Sequence, residues 1–231
     1  MNAPQTLIAS VMLAAGLASG AAQATLIDRG GGLIYDTVLN VTWLQDANYA
    51  QTSGYHADGL MTWSQATTWA ANLSYYDSVR NVTYTDWRLP TVTDTGAQGC
   101  DFAYTGTDCG DNVDTGTGEM AHLYYDELGN KDGVDAAGNP QADGGLTNVG
   151  PFIHLQAYYY WSDTGYAPIT DNAWHFNFCL GDQGSNDKAD SLYALAVRPG
   201  DVAAVPEPEA WGMMLSGLAL IGAAASRRKK G

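Results

Sequence analysis

Asp132, Asp135, Asn139 and Asp143 place three carboxylates and an amide along one glycine-rich stretch. All four offer hard oxygen, the donor type that calcium takes, so calcium is the one cofactor this pattern suggests. The stretch lacks the terminal bidentate Glu and the early spacing of an EF-hand loop, and short carboxylates among glycines build ordinary solvated turns equally well. The histidines His56, His122, His154 and His175 show no H-x-x-x-H or other tight ligand spacing. His175 stands between Trp174 and Phe176 on a predicted strand and faces the side opposite to both, where it either lines a concave face or is structural. Trp161 and Trp174 offer flat faces for sugar stacking, or else fill the core. Trp161, Trp174 and His175 are therefore the candidate ligand-binding residues. No nucleophile elbow, phosphate loop or dinucleotide fingerprint is present, so no catalytic residue is assigned.

Both ends of the chain carry signals. Residues 7–22 are apolar or small and lead into Ala22-Gln23-Ala24, an A-x-A pattern that predicts a secretory signal over residues 1–24, although no Lys or Arg precedes the apolar run. At the other end Val205-Pro206-Glu207-Pro208 precedes an apolar stretch over residues 210–225, closed by Arg227, Arg228, Lys229 and Lys230. As a transmembrane helix that stretch rises about 24 Å, short of a bilayer core of about 30 Å, so it spans only with help from its flanks. The basic end then stays in the cytoplasm and residues 25–204 face outward. These 180 or so residues suffice for one domain with a sizeable core. Outside the tail the chain holds 6 basic and 23 acidic residues, 21 of them Asp, a surface that repels nucleic acid.

The Pro-Glu-Pro box, short apolar helix and terminal Arg/Lys cluster, in that order over residues 205–231, resemble the PEP-CTERM sorting signal. The resemblance implies an exosortase as processing partner and transient C-terminal anchoring in the inner membrane. The product would lie in the cell envelope, at the outer surface or secreted, with biofilm or exopolysaccharide. In that oxidising setting Cys100 and Cys109, which bracket a short loop, are expected to form a disulfide. Cys179 is left over as a buried small hydrophobe.

Within the domain, two β-prone runs around a turn at residues 36–40 predict a hairpin. Thr62-Trp63-Ser64-Gln65 fits a capping box, followed by Trp63, Ala66, Ala70 and Leu73 at helical spacing. A second helix is predicted over residues 119–128, with Met120, Leu123, Tyr124 and Leu128 as its apolar stripe, Gly129 as its stop and His122 off the stripe, in solvent. Strands are expected at residues 158–162, 173–178 and 191–198, giving an α+β pattern of antiparallel strands with two helices and long irregular loops.

The string Asp86-Trp87-Arg88-Leu89-Pro90 predicts an extended run with Trp87 and Leu89 in the core and Asp86 free to pair with Arg88. Together with Trp43, the Trp63 helix, Tyr160-Trp161-Ser162 and Ala196-Val197-Arg198-Pro199-Gly200, it resembles the DUF1566 family, also known from the C-terminal domain of a Legionella collagen-like adhesin. The family is related to the C-type-lectin-like fold. The resemblance implies a non-enzymatic exported module that binds extracellular polysaccharide or a matrix protein. Two alternatives are a formylglycine-generating-enzyme-like or hydrolytic enzyme on the same scaffold, and a coat protein without a ligand. The copper-binding cysteine pair of the first alternative has no counterpart here.

Overall fold

The structure is a computed structural model and describes residues 26–96 and 107–202. The leader with Ala22 and Ala24, the segment holding Cys100, and the tail with Val205 to Pro208 and Arg227 to Lys230 lie outside the described residues.

The described chain is a mixed α+β domain in which every ladder is antiparallel. One sheet has the order β1 (Leu26–Asp28), β2 (Leu33–Asp36), β3 (Val41–Leu44) and β9 (Val197–Pro199), so the first and last strands of the domain share it. β4 (Tyr75–Asp77) and β5 (Val82–Tyr84) form a separate hairpin, and β6 (Tyr159–Gly165), β7 (Asn172–Asn177) and β8 (Gln183–Asp187) form a three-stranded sheet. Helices are short: α1 (Tyr49–Thr52), α2 (Trp63–Ala71) and α3 (Glu119–His122), the last running directly into a π-turn at Leu123–Glu127.

Strand alternation explains why the first sheet is buried on both faces. Leu33 and Leu44 point into one core with Trp69, Trp87, Leu89 and Trp161, while Ile34 and Trp43 point into the other with Leu123, Tyr124, Tyr160, Phe176 and Phe178. The hairpin at residues 36–40 and α2 form as their local sequence dictates. In α2 the Thr62 hydroxyl accepts from the Gln65 amide, while the Gln65 side chain accepts from the Thr62 amide.

Three expectations are corrected. The helix over residues 119–128 is an α-turn followed by a π-turn, with Leu128 N–H donating to Leu123 C=O, five residues back, at 2.9 Å. Asp86 does not pair with Arg88. It takes a bidentate contact from Arg198 at 2.8 and 2.9 Å, while Arg88 reaches Glu119. Cys179 is free and exposed rather than buried, because β7 ends at Asn177 and the chain turns there. Cys109 is buried and disulfide-bonded.

The hairpin β2–β3 occurs twice. Residues 35–43, Tyr-Asp-Thr-Val-Leu-Asn-Val-Thr-Trp, and residues 76–84, Tyr-Asp-Ser-Val-Arg-Asn-Val-Thr-Tyr, build the same turn in β2–β3 and β4–β5. In each copy the Asp Oδ1 accepts two backbone amides, Val38 and Leu39 on Asp36, Val79 and Arg80 on Asp77. In each, the Tyr hydroxyl donates to an Asn side chain, Tyr35 to Asn40 and Tyr76 to Asn81, and that Asn sits at positive φ.

Candidate functional site

The residues singled out above as ligand contacts are absorbed by the core. Trp161 is 0% exposed and donates its indole N–H to the Met61 carbonyl, and Trp174 is 1% exposed and donates to Asp94. His175 is 4% exposed, packed edge-on to Tyr159 and over Gly184, where any Cβ would come within 3.2 Å of its Cε1. Its Nδ1 has no partner, no carboxylate among the described residues pairs with it, and burial lowers its pKa to about 4. At neutral pH it is an uncharged, packed ring.

The three carboxylates of the glycine-rich stretch, Asp132, Asp135 and Asp143, do not bring ligand atoms within 4.8 Å of one another. Asp132 is buried and accepts from the Asn112 and Val134 amides and from the Tyr125 hydroxyl. Asp135 accepts from the Ala137 and Asn139 amides and the Asn139 side chain, and Asp143 pairs with Lys131. Each carboxylate is engaged by its own set of partners.

Aromatic surface does survive, three residues before Trp161. In the run from Tyr158 to Trp161 the last two rings are buried, whereas Tyr158 is 42% exposed. It meets Tyr193 and Tyr159 edge-on, at centroid distances of 5.8 and 5.3 Å. Tyr158 and Tyr193, with Leu60, Gln156 and Ala157, line a groove of about 310 Å³.

A second place combines charge with burial. Asp36, at the end of β2, is 0% exposed, and its Oδ2 lies 3.4 Å from the Trp43 indole nitrogen and 3.9 Å from His122 Nε2. His122 Nε2 is 3.3 Å from Glu127 Oε1, and Nδ1 is 2.9 Å from Asp126 Oδ2. In an α-helix the residue five ahead is turned about 140° away. The wider π-turn brings position i+5 back beside i, so that Asp126 and Glu127 flank the ring together. Burial, reinforced by the charge of Asp36 and partly offset by His122, raises the Glu127 pKa above the ordinary carboxylate value. His122, expected in solvent, is thus 7% exposed and central to a cluster of three carboxylates. It also lines a cleft of about 260 Å³ with Val38, Leu39, Thr91, Thr117 and Glu119.

Sequence reasoning missed this cluster because Asp36 is far from the other three residues in the chain and the π-turn that brings Glu127 beside His122 has no distinct apolar pattern. The repeated hairpin sequence was the available signal that Asp36 is placed with care.

The tail supplies the identity of the class. Residues 204–229 match the PEP-CTERM protein-sorting motif, which implies an exported protein sorted and processed by an exosortase. Proteins with this motif are exported and associated with the cell surface. No curated protein matches the chain. Among the described residues no helix is long and apolar enough to cross a membrane, and the stretch 210–225 lies outside them.

Proposed function

We propose that the exported domain is a non-enzymatic component of the cell envelope or biofilm matrix, of DUF1566 type on a C-type-lectin-like scaffold. In this reading it binds extracellular polysaccharide or a matrix partner at the groove of Tyr158 and Tyr193. The observation that carries the reading is Tyr158, a large ring left exposed at a groove and braced by two other tyrosines. Such a ring gives a sugar a flat apolar face, and Gln156 beside it supplies an amide that both donates and accepts hydrogen bonds. The burial of Trp87 and Leu89 and the sheet pairing of Arg88 with Val197 are what an anchoring role for the Asp86 to Pro90 string requires.

The test is binding of the full chain to acidic and neutral polysaccharides, with and without calcium. Micromolar or weaker binding is expected. Loss of one stacked ring is worth about 0.5–1.5 kcal/mol, so Tyr158→Ala should weaken binding roughly 2- to 12-fold. Silence on all polysaccharides would overturn the ligand and leave the coat-protein alternative.

A further inference from the structure

We propose that Asp36, His122 and Glu127 form a binding site for one first-row divalent transition cation of the zinc type. One ligand atom from each of Asp36, His122 and Glu127 lies within 4.8 Å of the other two, the one such gathering of three or more His, Cys, Asp and Glu among the described residues. An ion held at about 2.0–2.2 Å by each donor keeps its ligand atoms roughly 3.0–3.5 Å apart, so the observed 3.3 and 3.9 Å need only a small contraction. One imidazole and two carboxylates suit such an ion, whereas calcium seeks six to eight oxygens.

Charge points the same way. The buried Asp36 and Glu127 share a single imidazole, whose other nitrogen faces the exposed Asp126, and burying carboxylates without a cation is costly. None of the six Lys and Arg residues outside the tail is available to them. Arg29 pairs with Asp201, Arg80 with Asp77, Arg88 with Glu119, Lys131 with Asp143 and Arg198 with Asp86. Lys188 donates to the Thr170 carbonyl and lies over Trp63.

The repeated hairpin provides an internal comparison. In its second copy the buried Asp77 uses its other oxygen, Oδ2, for Arg80, at 2.6 Å. The equivalent of Arg80 in the first copy is Leu39, and Asp36 Oδ2 is directed instead at His122. The same turn thus recurs with its cation removed and an N,O,O donor set in its place. Outer partners complete the arrangement: Asp126 holds His122 Nδ1, the backbone amides hold Asp36 Oδ1, and the Trp43 indole approaches Oδ2. The adjoining cleft reaches the cluster through His122.

The experiment is metal analysis of the untagged full chain in detergent, stripped with a chelator and then supplied with zinc, cobalt or calcium chloride. We expect one equivalent of zinc per chain, a cobalt(II) spectrum without thiolate charge transfer, and no displacement of zinc by equimolar calcium. His122→Gln should weaken zinc binding at least 10-fold. Leu39→Arg, which transplants the second hairpin's cation beside Asp36, should do the same while leaving the turn intact. Wild-type protein that takes up no zinc, or shows a cobalt–thiolate band, overturns the proposal, as do two folded variants that bind like wild type. If His122→Gln fails to fold, wild-type stoichiometry and Leu39→Arg decide.

Discussion

Arg88 holds Glu119 through two parallel hydrogen bonds of 2.6 and 2.7 Å, tying the Asp86 to Pro90 string to the first turn of the helix that carries His122. Glu119 also accepts the Thr91 amide, and Glu119 and Thr91 both line the cleft.

Arg88→Lys keeps the charge but loses the planar fork, and should cost about 1–2 kcal/mol of stability by urea unfolding. Asp86→Asn, at the more exposed Arg198 contact, should cost no more than about 1 kcal/mol. Equal losses at the two sites would contradict the role given to the Arg88 fork.

Asp182 and His175 should impose opposite pH dependences. Burial raises Asp182 to about 6, so between its unfolded value of 3.8 and about 6 the native state binds the extra proton. Its contribution is present below pH 3.8 and is lost as pH rises through 6. His175, lowered by burial from 6.5 to about 4, stays neutral while the unfolded chain protonates, so its contribution is lost as pH falls from 6.5 to 4. Asp182→Asn, which can still accept from Asn177, should gain roughly 1–3 kcal/mol at pH 7 and little at pH 4. His175→Phe should flatten the acid side of the stability curve. Thermal unfolding from pH 4 to 8 checks both.

In the second hairpin, Arg80→Leu leaves the fully buried Asp77 without its cation. A loss of about 3–5 kcal/mol is expected in chemical denaturation. A change under 1 kcal/mol would show that the turn amides alone carry the Asp77 charge.

Processing by an exosortase should remove most of the tail. Mass spectrometry of the protein from native cells is expected to find a C-terminus close to Pro206; an intact Gly231 terminus would contradict cleavage.

Local features were the legible ones. The β2–β3 hairpin and the capped α2 helix are written in contiguous residues, where turn chemistry and a capping box act over a few positions. The β4–β5 hairpin was equally legible as a repeat of the first, though it needed the two segments to be set side by side. β8 was not legible. Gln183-Gly-Ser-Asn-Asp has no apolar alternation, and pairing with β7 imposes its extended form. The ion pairs Arg88–Glu119 and Asp86–Arg198 join positions distant in sequence, so proximity along the chain suggested the wrong partners. His122 was misplaced because an α-periodic wheel puts it in solvent, whereas packing and the π-turn bury it.

The strand β9 has a mechanical consequence. It is the last element before the tail, and it is held on both sides, by β3 through Val41 to Trp43 and by the bridge from Val197 to Arg88. Just beyond it the Thr42 hydroxyl donates to the Gly200 carbonyl and Asp201 grips Arg29, next to the first strand. Any pull on the chain beyond Val202 therefore enters at β9 and is shared at once by the opening strands, a locked seam rather than a loose end.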